Sequence, residues 1–171
     1  ASGTLLPVGF GRKPLKAADI LTADARVAGP RWGFLKPLVR RAALERAGIG
    51  YAEDIRLSED LLFLCDLLLS GVEGVLVDTP LYVYTTQRGA ISGERSLHSR
   101  SPTGSADRLR CAAKLMERHG KTASQADQAA LSRFLRAMRA VDGAGRLARL
   151  RREGRPLAAL ALAAARPLAA T

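Results

Sequence analysis

LSEDLLFLCDLLLSG, residues 57–71, sets two adjacent acids directly before an apolar run that only Asp66 interrupts. Ser58 carries a hydroxyl suited to an N-cap and Gly71 offers a stop, so the spacing predicts a helix that starts at Glu59. Leu61, Leu64 and Leu68 fall on one side of it, and Leu62, Cys65 and Leu69 on the other. A helix that is apolar all round is a buried one. Glu59 and Asp60 then occupy its first two positions, where the helix dipole favours a negative charge by roughly 0.3–1 kcal/mol. Capping alone explains an acid there. A carboxylate at the mouth of a core, on a rigid element beside free backbone N–H groups, is equally placed for chemistry, and both readings stay open at this point.

Working outward, the chain of 171 residues is long enough for a core, and 47% hydrophobic with 25% charged residues fits a globular protein. The formal charge of +11 is unevenly spread: residues 1–100 hold 13 Lys/Arg against 11 acids, and residues 101–171 hold 14 against 5. Cys65 and Cys111 lie in apolar helical contexts, which suits small buried hydrophobes and leaves no disulfide framework or CxxC metal site. No charged and then apolar leader is read at the start. The most apolar segment is broken by Asp66 and Gly71, so no membrane span is expected.

Three regions follow. Residues 1–30 read as irregular, with a short helix over 14–21. Within 31–92, Trp32–Val39 reads as a strand with Pro37 at an edge, 42–47 as a helix ending at Gly48, and 74–77 and 81–85 as strands parted by Asp78-Thr79-Pro80. Residues 96–105 read as a linker. Beyond it, helices are expected over 106–119, 125–141, 144–153 and 156–165, with Gly120, Gly143, Gly145 and Gly154 at their ends.

The order of short motifs from residue 31 to 95 carries a resemblance. It runs through Gly33-Phe34-Leu35-Lys36-Pro37-Leu38-Val39-Arg40-Arg41, Glu45-Arg46-Ala47-Gly48 and Arg56-Leu57-Ser58-Glu59-Asp60. Then come Val77-Asp78-Thr79-Pro80-Leu81-Tyr82-Val83-Tyr84 and Gly89-Ala90-Ile91-Ser92. Together they resemble the acceptor-side portion of bacterial family 2 glycosyltransferases, and within them the succinoglycan-type exopolysaccharide enzymes. The resemblance implies an α/β chain, mostly helical over this length: a partial glycosyltransferase A-type fold at 1–100 and a basic C-terminal helical bundle at 101–171. It implies that Asp60 is the general base of an inverting transfer, taking the proton of an acceptor hydroxyl that attacks a nucleotide sugar, with Glu59 in support. A base needs an ionised carboxylate on a support that does not wander, and this position meets that need.

The family's Asp-x-Asp motif, which holds a divalent cation (Mg or Mn) against the sugar diphosphate, has no counterpart in these residues, and Gly9-Phe10-Gly11 is no phosphate loop. The chain is therefore expected to lack the donor site, to bind no metal itself, and to be inactive alone. Its expected partners are the nucleotide sugar and the saccharide acceptor of the full enzyme, and an uncovered face favours a homodimer.

Arg88 falls where the resemblance puts a loop near the donor phosphates. Trp32, Tyr82 and Tyr84 suit either stacking on a sugar ring or packing in a strand, and Lys36 with Arg40-Arg41 either flanks the acceptor or is solvated. Glu53-Asp54, a second acidic pair, reads as a solvated turn. His98 and His119 have no partner at metal-ligand spacing and read as surface. Arg133, Arg136 and Arg139, followed by Arg146, Arg149, Arg151, Arg152 and Arg155, raise a different class of function, a non-enzymatic basic helical module for nucleic acid or an anionic membrane. No groove-reading module accompanies them, so nucleic acid is set aside. The apolar residues 157–162 offer a strip for an interface, and a lipid-linked acceptor would need its enzyme at the membrane. A peripheral place at the cytoplasmic face is therefore preferred to nucleic acid, with a plain solvated helical face as an equal alternative.

Overall fold

The computed structural model describes residues 12–26, 36–77 and 104–164. In chain order the elements are β1 (Arg12–Leu15), α1 (Ala17–Asp24), α2 (Arg41–Ala47), α3 (Glu59–Leu69), β2 (Gly74–Val77), α4 (Gly104–His119), α5 (Gln125–Arg152) and α6 (Pro156–Ala164). The described part is mostly helical. Its one small sheet pairs β1 antiparallel with β2, Arg12 opposite Val77 and Leu15 opposite Gly74.

Most of the expected helix limits hold. α2 ends where Gly48 turns left-handed at φ 62°, the conformation that glycine adopts without a Cβ penalty. Three expectations are corrected. Residues 14–21 are not one helix, because Pro14 and Leu15 belong to β1 and the helix begins at Ala17. Pro14 is tolerated because a two-stranded sheet consists of edges. Residues 36–40 form no strand: Pro37 offers no N–H to a ladder. Finally, no break occurs at Gly143 or Gly145, and α5 runs unbroken for 28 residues. Two helical glycines cost about 1 kcal/mol each. Met138 and Asp142, buried on the same helix, anchor it just before the two glycines.

One apolar cluster joins the elements. Ala17, Ile20 and Leu21 of α1 meet Leu61, Leu62 and Cys65 of α3, Cys111, Ala112 and Leu115 of α4, and Ala130, Leu131, Phe134 and Met138 of α5. The residues of that core thus come from both sides of position 100. Two caps lock it. Ser124 accepts the Asp127 N–H at 3.2 Å to start α5, and Asp127 Oδ1 accepts the Ala18 N–H at 3.1 Å, so α5 also caps the start of α1. Beside the sheet, a Cβ on Gly74 would lie 2.7 Å from Leu68 Cδ2 and 3.2 Å from Leu15 Cβ, so a larger residue there would make the Leu68 side chain shift.

Both cysteines are buried and free. Burial pushes the Cys111 thiol up to about 12, against the pull of Arg108 and with help from Asp24, Asp60 and Asp66. It pushes Cys65 well above its ordinary value too. In the unfolded chain a thiol ionises near pH 8.5, so above that pH the unfolded state holds fewer protons than the folded one. Stability should therefore be complete below about pH 8.5 and fall by about 1.4 kcal/mol per pH unit for each thiol above it. Urea unfolding between about pH 9 and 11 should show this slope, and Cys111→Ala should flatten it; equal slopes in both proteins would refute the assignment.

Candidate active site at the start of the buried helix

Residues 48–58 form the loop that delivers Glu59 and Asp60. Ile55 buries its side chain in the core, at 3% exposure, and fixes the middle of the loop. Closer to the acids, Asp107 of α4 accepts the Leu57 N–H at 3.2 Å through Oδ2, while its other oxygen takes Arg110. Asp54 is exposed and accepts from Lys114 at 2.9 Å, a hydrogen bond that holds its carboxyl below the usual range. The loop is thus fastened to α4 on both sides of Ile55. Glu53 is exposed in the same turn, as expected for a solvated polar pair.

Ser58 does occupy the N-cap position, but not as a cap. Its backbone is left-handed, at φ 69° and ψ 24°, and its side chain makes no capping bond, whereas a capping serine is extended. Its carbonyl accepts the first helical bond, from Leu62 N–H at 3.0 Å. Asp60 takes over part of the work: its Oδ1 accepts the Leu61 N–H at 2.7 Å. An L residue in this conformation carries roughly 1–2 kcal/mol of strain. Ser58→Gly should therefore leave stability unchanged or raise it by up to about 1 kcal/mol in thermal unfolding, whereas a loss of about 1 kcal/mol would mean that the hydroxyl caps after all.

Glu59 and Asp60 are both half-buried, so the carboxylates stand at the edge of the core rather than inside it. Asp60 is among the acids whose charge raises the Cys111 thiol of α4. Arg108 of α4 reaches Asp24 of α1, with Nη2 3.3 Å from the Asp24 carbonyl and 3.5 Å from Oδ1. Of the other residues singled out in the sequence, Lys36 is exposed on the irregular segment 36–40. Trp32, Tyr82, Tyr84 and Arg88 lie outside the described residues, as do His98 and the strand expected at 81–85. Among the described residues the structure thus brings together Glu59 and Asp60 only.

At the end of α4, beside Asp66 of α3, His119 is corrected from surface to interior. It is 8% exposed, and its Nε2 donates to Oδ1 of Asp66 at 2.5 Å, while Arg118 donates to Oδ2. These three side chains border a cavity of about 370 Å³ with Tyr51 and Ser70. Tyr51 in turn stacks on Phe63 with ring centroids 4.5 Å apart. The lone acid in an apolar helix was the sequence signal for this buried cluster. Among the described residues no three His, Cys, Asp or Glu side chains gather as a metal site. The divalent cation that the resemblance implies therefore finds no set of ligands there, and no chemical step is assigned to it.

No family model matches the chain, and no solved structure does. A stretch of 61 residues, 36% of the chain, is 36% identical to the succinoglycan biosynthesis protein ExoU of Rhizobium meliloti (strain 1021). The match covers 18% of that protein's length.

Proposed function

We propose that this chain is the acceptor-side portion of an inverting family 2 glycosyltransferase that builds an exopolysaccharide or a lipid-linked saccharide. The observation that carries the reading is the placement of Asp60: a half-buried carboxylate at the first turn of a buried helix, oriented by the Leu61 N–H and fed by a loop fastened to α4. The partial similarity to a protein of succinoglycan biosynthesis supports the substrate class.

In this reading Asp60 accepts the proton of an acceptor hydroxyl while that oxygen bonds to the anomeric carbon of the donor and the nucleoside diphosphate departs. Fixed geometry supplies much of the rate, since a base held within hydrogen-bond reach needs no search. Glu59 supports the acid and the helix end. Arg88 would meet the departing diphosphate, and Trp32, Tyr84 and Lys36 would line the sugar path. The donor and any divalent cation would be held by parts of the enzyme other than the described residues. Incubating the full-length enzyme with nucleotide sugars and following the new glycosidic bond by NMR tests the reaction. An inverted anomeric centre is expected, and a retained one would contradict the mechanism.

The second element of the proposal is docking at an anionic membrane surface, and a specific observation favours it: on α6, Leu157 is 80% exposed and Leu160 67%, next to the arginines that end α5. No described helix is long and apolar enough to cross a membrane. Sedimentation of the chain with phosphatidylglycerol vesicles should fall steeply as salt rises, because exposed charges are screened beyond about 8–10 Å at physiological salt. Sedimentation indifferent to salt and to lipid charge would exclude it.

A further inference from the structure

Between α4 and α5 lies a groove of about 490 Å³ whose walls include Arg110, Arg146, Arg149 and Arg152, with Leu109 and Ala113 as apolar lining. We propose that this groove is a binding site for a dianionic phosphoryl or pyrophosphoryl group, a site separate from Asp60 and independent of the transferase reading.

Three features separate it from an ordinary solvated helix face. First, the arginines come from two helices and converge, Arg110 from α4 and the other three from α5. Second, two of them are already fixed. Asp107, 1% exposed, holds Arg110, and Asp142, 5% exposed, stands 3.6 Å from Arg146 Nε and accepts from Ser105 Oγ at 3.4 Å. Those two buried carboxylates orient two guanidiniums and match their charge. Third, Arg149 and Arg152 meet no carboxylate among the described residues; Arg152 Nε is 3.4 Å from the Ala148 carbonyl. Four guanidiniums against two acids leave two positive charges in one cleft, the complement of a dianion. The guanidinium fork pairs with phosphate oxygens through paired hydrogen bonds, which a lysine point charge does not. Gly145 lines the groove with no side chain of its own, and this leaves room on the α5 wall.

The phosphoryl group can belong to a soluble phosphate ester or to a lipid headgroup, and one experiment separates the two. Inorganic pyrophosphate is titrated calorimetrically into the full chain. It is then titrated into the double variant Arg149→Gln/Arg152→Gln, and into Arg133→Gln/Arg136→Gln, which removes two exposed arginines from a different face of α5. All four side chains are exposed, so neither variant threatens the core. The groove variant should lose pyrophosphate affinity by about tenfold or more, while the control keeps it within about twofold. Equal losses in the two variants, or no saturable binding by the parent chain, would overturn the site and leave only diffuse charge. Phosphatidic acid vesicles that displace the pyrophosphate support the site with a lipid as its source. Failure to displace it, with binding still lost in the groove variant, supports the site with a soluble ester as its source.

Discussion

Replacing both Arg118 and His119, as Arg118→Leu/His119→Phe, should destabilise the fold by about 3–5 kcal/mol, more than replacing the acid that they share. Asp66 is 3% exposed and faces these two donors, so their removal leaves a buried carboxylate with neither. Asp66→Leu removes the charge itself. The Arg118 side chain, 46% exposed, can then turn to water, so the cost should be only about 1–2 kcal/mol. Adding Asp66→Leu to the double variant should recover most of the loss, since an apolar cluster of similar volume needs no partners. Urea unfolding of the three variants measures this, and an Asp66→Leu protein less stable than the double variant would reverse the account. The cluster ties α3 to the last turn of α4, and its loss should loosen the far end of the helix that carries Glu59 and Asp60.

How legible this was depended on whether the deciding contacts were local. α2 with its glycine stop, α3, β2, α4 and α6 were all readable, because periodicity, caps and turn residues lie within a few positions of each other. The unbroken α5 was not. Gly143 and Gly145 speak for a break, and the packing that overrules them involves Met138 and Asp142, with Ser105 reaching across from α4. β1 was hidden for a similar reason, since a proline-containing strand of four residues exists only through its pairing with residues about sixty positions later.

At the candidate site the sequence showed the two acids but not how they are held. The serine rule placed Ser58 correctly, but nothing local revealed its left-handed backbone, which hands the first-turn N–H to Asp60. Asp107 and Asp24 are ordinary helix acids until the fold turns one towards the Leu57 N–H and the other towards Arg108. His119 went unrecognised because its partner lies 53 residues away. Asp66 was the readable half of that pair, for a lone carboxylate in a run of leucines has to find a donor or lose its charge.

The central claim is that Asp60 accepts a proton rather than merely starting a helix. Asp60→Asn keeps the size and an oxygen that can still accept the Leu61 N–H, but it removes the basic carboxylate. Stability should fall by no more than about 1 kcal/mol, the scale of a charge at a helix end. Glu59→Gln should cost a similar amount of stability and far less activity. The decisive measurement is the single-turnover rate of sugar transfer by the full-length Asp60→Asn enzyme beside its parent and Glu59→Gln, with folding verified by unfolding curves. The account predicts a fall of roughly 10²–10⁴ for Asp60→Asn alone; a folded Asp60→Asn enzyme that transfers sugar near the parent rate would contradict it and leave both acids as helix-end charges.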